Sequence, residues 1–282
     1  WTYDMLREQH TLLSGHLNVS RAFHNVVRMS DGRILAVGGV TFGGQSGTDY
    51  YTNVLKSCEV YDPSTGLWTL TPDMTSYRAG ATANLLPDGR VLVAGGTEGN
   101  AMHQLFDSSD LLSTSLKSTE IYNPASNTWS AGPNMPEPKA GAESVTLNDG
   151  KILIAGGITY TVIFGIPFPD FSQNASLYNP VSNSFSSINM QVKRALFGIS
   201  KMNDGRVLCA GGAGGNIFTI GPIKQAEIYD PATNLFTQIA NLPADAAFAL
   251  YGLDRDALRF RESALVGPGF GYAFRHDRTL PV

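Results

Sequence analysis

Leu86-Pro-Asp-Gly-Arg-Val-Leu-Val-Ala-Gly-Gly96 is the stretch on which the fold turns. It reads as a tight turn, a short apolar strand and a glycine pair. Glycine supplies the positive φ that an Asp-Gly hairpin turn needs. The pattern returns as Asp31–Gly39, Asp88–Gly96, Asp149–Gly157 and Asp204–Gly212. Each copy is followed, after a variable gap, by a tyrosine and a second turn: Tyr61-Asp-Pro-Ser-Thr-Gly66, Tyr122-Asn-Pro-Ala-Ser-Asn127, Tyr178-Asn-Pro-Val-Ser-Asn183 and Tyr229-Asp-Pro-Ala-Thr-Asn234. An aromatic stands two positions beyond each turn, at Trp68, Trp129, Phe185 and Phe236. A basic residue precedes each glycine pair at constant spacing: Arg21, Arg78, Lys139 and Arg194.

Four in-phase copies with this order of glycine doublet, tyrosine and aromatic resemble the kelch repeat, and they cover residues 21–236. The resemblance implies an all-β, kelch-type β-propeller with one four-stranded blade per repeat. The residues agree with it independently. Each unit offers four short runs rich in Val, Ile, Leu and aromatics, which suit pleated, half-buried strands. The doublets should end the second strand where a Cβ would crowd a neighbouring blade. The Trp or Phe of the fourth strand should fill space between blades. The expectation is a single domain over residues 1–282. Four blades are clear, and residues 1–20 and 237–282 are closing segments. Trp1–Asp4 would complete a fifth, composite blade with strands from Phe248–Arg275, so that no edge is left open.

Composition narrows the function. Hydrophobic residues make up 43% and charged residues 16%, which fits a well-buried globule rather than a disordered chain. A net charge of −4 without a basic run argues against nucleic acid. No apolar stretch is long enough to insert in a membrane. Cys58 and Cys209 read as core thiols in non-adjacent blades. Asn18-Val-Ser20 and Asn174-Ala-Ser176 are glycosylation triplets. No cofactor or metal site is expected. The galactose-oxidase-like copper enzymes of the kelch fold use tyrosine and histidine ligands and a cysteine cross-linked to tyrosine. Here His10, His16, His24, His103 and His276 are scattered, with no Tyr-His pair. No nucleophile elbow, P-loop or Cys-x-x-Cys is present.

The strand order separates two faces. In a meander the first and third connections lie on one face, and both are minimal turns here. The second connections are long and all different: 40–56, 97–117, 158–173 and 213–224. Variable loops on a rigid scaffold are where recognition usually sits. The candidate contact residues on them are Tyr50, Tyr51, His103, Phe106, Tyr160, Phe164, Phe168 and Phe171, which would either anchor a partner or pack on one another. The prolines Pro167 and Pro169 should stiffen the third loop. Arg21, Arg78, Lys139 and Arg194 would either converge at the channel mouth to hold an acidic group or pair with Glu59, Glu120 and Glu227. The function expected is a non-catalytic binding module for a protein or glycan, in an extracellular, surface or virion setting. One alternative is a structural subunit docked through residues 158–173, assembled with other subunits. The other is a cryptic carbohydrate-active enzyme.

Overall fold

The structure, a computed structural model, describes residues 2–4, 9–11, 15–46, 49–98, 114–164, 166–216 and 219–243. The sequence repeats become four four-stranded antiparallel sheets, each ordered as a simple meander. Blade I comprises Asn25–Arg28, Ile34–Val37, Cys58–Asp62 and Leu67–Leu70. Blade II comprises Thr82–Leu85, Val91–Ala94, Thr119–Asn123 and Thr128–Ala131. Blade III comprises Glu143–Thr146, Ile152–Ala155, Asn174–Asn179 and Ser184–Asn189. Blade IV comprises Gly198–Lys201, Val207–Ala210, Ala226–Asp230 and Leu235–Ile239. The first strands of successive blades are neighbours, as in a propeller whose inner strands surround an axis.

The core lies between blades, in three layers. Leu35, Val37, Cys58 and Val60 of blade I meet Ala83, Val91, Val93 and Tyr122 of blade II. Leu92 and Ile121 meet Ile152, Ile154 and Tyr178. Leu153 and Leu177 meet Val207, Tyr229 and Phe236. Alternation along each strand sends successive side chains to opposite neighbours, which is why the second strands are apolar throughout. Each such side chain contributes about 1.5–3 kcal/mol on burial.

The repeat's special residues each have a local task. The turn asparagines Asn127, Asn183 and Asn234 have φ of 53°, 48° and 56°. Their Oδ1 atoms accept the hydroxyls of Tyr122, Tyr178 and Tyr229 at 2.8–2.9 Å. Each repeat tyrosine also packs on the fourth-strand aromatic, with ring centroids 5.0–5.2 Å apart. Trp129, Phe185 and Phe236 pack in the layers between blades, and the aromatics are buried unequally. Phe236 is buried, whereas Trp68 and Trp129 are half-buried, although all three stand on the outermost strand of a blade. Trp129 packs against the layer between blades I and II, and its Nε1 donates to the Pro72 carbonyl at 2.9 Å.

The glycine doublets join one blade to the next. Gly38 and Gly39 have φ of 57° and 96°. A Cβ on Gly38 would lie 2.2 Å from the Arg78 carbonyl oxygen, in blade II's entry; on Gly95 and Gly156 it would lie 2.4 and 2.3 Å from those of Lys139 and Arg194. Those same carbonyls accept the N–H groups of Gly39, Gly96 and Gly157 at 2.8 Å. One step inward, Gly80 N–H donates to Phe23, Gly141 to Gly80 and Leu196 to Gly141, at 2.9, 2.8 and 3.2 Å. This backbone ladder runs around the axis from blade to blade.

Two expectations meet the structure differently at the ends. Thr2–Asp4 is a strand, and its partner among the described residues is Gln9–Thr11. Phe248–Arg275, its expected partner in a fifth blade, lies outside the described residues.

Candidate functional site

The two faces divide as the meander requires. One carries the Asp-Gly and Asx-Pro turns. The other carries the second connections, and three of these fold as β-hairpins rather than loops: Val40–Ser46 with Asp49–Val54, Ile158–Ile163 with Ile166–Phe171, and Ala213–Asn216 with Thr219–Pro222. In the second hairpin Tyr160 opposes Pro169 and Val162 opposes Pro167. Spacing by two puts both prolines at equivalent positions of an edge strand, whose missing N–H takes no ladder bond. The prolines therefore fit a strand as well as they fit a stiff loop.

The hairpin residues separate by exposure. Phe164 sits at the tip with φ 52° and is 100% exposed. Tyr160 and Phe168 are half-buried, and Phe171 at the base is buried. Phe42 on the first hairpin is 63% exposed. The side chains of Tyr50 and Tyr51, and all of His103 and Phe106, lie outside the described residues. Asp170 is tied down by Lys193 at 2.8 Å and Thr161 at 3.0 Å. Burial would raise its carboxyl, but these bonds hold it below the usual range.

Beneath the hairpins lie the four basic residues, and the pairing alternative is the one the structure shows. Arg21 meets Glu59 at 2.7 Å, Arg78 meets Glu120 at 3.1 Å and Arg194 meets Glu227 at 3.2 Å. Each guanidinium also donates to two backbone carbonyls, those of Gly38 and Ser57 for Arg21 and of Gly95 and Ser118 for Arg78. Arg194 does the same with Gly211 and Gln225. No guanidinium is open to a ligand, because all three side chains are 0% exposed. Their role is to close the foot of each blade.

Lys139 is equally buried, but its partner is Glu137, at 3.1 Å. Sequence reading missed this residue. The signal was available: the third repeat has Ser176 where the others have a glutamate, so its buried cation needed another anion. Desolvation lowers the Lys139 ammonium to about 8. Nearby, desolvation alone raises Glu143, at the start of blade III's inner strand, to about 8.

Several other groups are occupied by structure. Asn18 Nδ2 donates to Glu59 and to the Trp68 carbonyl, and Asn174 is bonded to Ser187 and Ser176. Both glycosylation triplets thus have their asparagine engaged. Cys58 is buried and pushed up to about 12 by desolvation, and Cys209 is raised in the same way. Such thiols are inert. Among the described residues no group of three or more His, Cys, Asp or Glu is placed to hold a metal ion. Among them, too, no helix is long and apolar enough to cross a membrane.

Comparison with known proteins agrees with this architecture. The kelch motif model matches residues 21–75 and 83–136. The chain is 24% identical over 228 residues to Kelch-like protein terF of Aspergillus terreus, covering 78% of this chain and 45% of that protein. It is 26% identical over 248 residues to human Kelch-like protein 23, covering 86% and 37%. It therefore spans less than half the length of these curated relatives. A solved structure of YjhT superposes with a TM-score of 0.60 at 17% identity, covering 79% of this chain and 71% of that one, which is a likeness of fold. With four in-phase repeats, each folded as one blade, and glycine doublets that join blade to blade, the chain carries kelch motifs and folds as a kelch-type β-propeller.

Proposed function

We propose that this chain is a non-catalytic protein-interaction module whose contact surface is the hairpin face, centred on Ile158–Phe171. The observation that carries this is Phe164: a fully exposed aromatic, at the tip of a hairpin, in a left-handed conformation that a bulky residue adopts at a cost. An apolar side chain held out in this way contributes nothing to the core and is suited to a partner's pocket. Phe42 on the first hairpin extends the apolar surface. The relatives are named as kelch-like proteins, and the buried basic residues leave no ring of open cations to serve a catalytic or anion-binding role. A protein is favoured over a glycan because the exposed aromatics stand on separate hairpins rather than as a flat platform. Docking into a larger assembly would use the same hairpin.

The test compares the two faces. Partners recovered with the wild-type chain are titrated against Phe164→Ser and against Val181→Ser, which alters an exposed turn on the opposite face. Phe164→Ser should weaken binding by about 2 kcal/mol with an unchanged melting temperature. Val181→Ser should bind as wild type. The reverse result would move the contact surface to the short-turn face.

A further inference from the structure

Blade III departs from its neighbours at the charge pair under its hairpin. In blades I, II and IV the carboxylate stands on the third strand, and its side chain is at most 4% exposed. It also accepts backbone N–H groups from the linker entering the same blade: Asn18 and Val19 for Glu59, Thr75 and Ser76 for Glu120, Gln191 for Glu227. In blade III the first of these linker positions is Pro136, which has no N–H to donate. The strand position is the buried Ser176. The anion has moved onto the linker itself, as Glu137, and its Oε1 accepts Lys139 Nζ and the Ser172 hydroxyl.

That move turns a sealed carboxylate outward. The Glu137 side chain is 34% exposed, and its Oε2 accepts no hydrogen bond from any described residue. Glu137 lines a pocket of ≈ 390 Å³ between blades II and III on the hairpin face, walled also by Pro136, Pro138, Leu116, Tyr160 and Lys117. We infer that this pocket receives an arginine or lysine side chain from the protein partner, the cationic head on Glu137 Oε2 and the aliphatic stem along Pro136, Pro138 and Tyr160. The inference rests on the protein-interaction reading of this face and deepens it. Three features select such a ligand. An acceptor-only oxygen with free lone pairs takes a charge-assisted donor best. Proline and phenol rings suit an alkyl stem, and the face of a phenol attracts a guanidinium. Lys117 on the same wall repels a bare small cation, so the cation must be carried in on a stem that gains contact elsewhere.

The probes are a blocked Gly-Gly-Arg-Gly-Gly peptide, its citrulline counterpart and guanidinium ion, each titrated into the isotope-labelled chain while backbone amide signals are followed. The arginine peptide should shift Leu116, Glu137 and Tyr160 saturably. The citrulline peptide, equal in shape but neutral, should need at least about tenfold more, and so should guanidinium. Equal binding of the citrulline peptide, or shifts centred away from these residues, overturns the proposal. Equal binding of guanidinium overturns the partner side chain as source and leaves a small-cation site. Because Glu137→Gln alone strands a buried lysine, the variant is Glu137→Gln with Lys139→Met, which removes both charges together. It should fold and lose the arginine preference; retention of that preference overturns the assignment. A silent pocket, with Phe164→Ser still weakening partner binding, would refute this inference and keep the interaction reading. Peptide binding with no effect of Phe164→Ser would do the opposite.

Discussion

Blades I, II and IV hold their foot with an arginine and a strand glutamate, both sealed from water, while blade III uses a lysine and a linker glutamate that reaches solvent. The difference follows from one proline. A carboxylate at the strand position is worth burying when it satisfies linker N–H groups as well as a guanidinium. Without the N–H of residue 136, the desolvation of a strand carboxylate has less to offset it. Blade III keeps a cation at the same place in the fold but gives up the sealed pair. The lesson is that a repeat conserves an electrostatic sum at each joint rather than a particular pair of residues.

The sharpest way to break the comparison is to remove the anion in each context. Glu120→Ala leaves Arg78 buried, charged and unpaired, and should cost about 3–5 kcal/mol in denaturant unfolding. Glu137→Ala should cost roughly half as much, because Lys139 can shed its proton where arginine cannot. Equal losses would mean that the two pairs are energetically alike.

The pH dependence should sharpen it further. Glu143 titrates near 8 in the folded state and near its ordinary value of 4.5 when unfolded. Between these values the native state binds the extra proton, so this group's contribution falls as pH rises from about 4.5 to 8. Glu143→Gln should therefore stabilise the chain by roughly 4 kcal/mol at pH near 8 and leave it unchanged near pH 4. Lys139 has the opposite sign. Its folded value lies near 8 and its ordinary value is 10.5, so the unfolded state binds more protons between them and its contribution rises with pH. Lys139→Met, made with Glu137→Gln, should flatten that rise, as read by melting curves across the range.

The smallest effect belongs to the exposed pairs. Asp88 and Arg90 meet at 2.7 Å across the Asp-Gly turn, as do Asp31 and Arg33, and Asp204 and Arg206. They are at least as close as the buried pairs, but each side chain is 35–51% exposed. Asp88→Asn should change stability by less than about 1 kcal/mol, and the change should shrink further in high salt. A loss as large as that of Glu120→Ala would show that burial is not what separates the two classes.

Much of this was written in local patterns. The Asp-Gly and Asx-Pro turns, the apolar second strands and the glycine doublets are set by short-range sterics, so four blades could be read directly. The pairing of Arg21, Arg78 and Arg194 with glutamates followed from the cost of burying a lone charge. The hairpins did not announce themselves, because Pro167 and Pro169 read as loop until their spacing of two is matched to an edge strand's pairing. Glu137 was hidden for a related reason. It departs from the repeat register, and only the gap at Ser176 signals that a charge must come from elsewhere.

The inter-blade joints are made of main chain: a glycine N–H on a neighbour's carbonyl, and a ladder through Phe23, Gly80, Gly141 and Leu196. No hairpin side chain takes part in these bonds. These bonds thus ask nothing of the hairpin tips, whereas the hairpin bases are fitted to the frame through buried Val40, Val54 and Phe171 and through the Asp170–Lys193 pair. A lineage can rewrite a hairpin tip without renegotiating the scaffold.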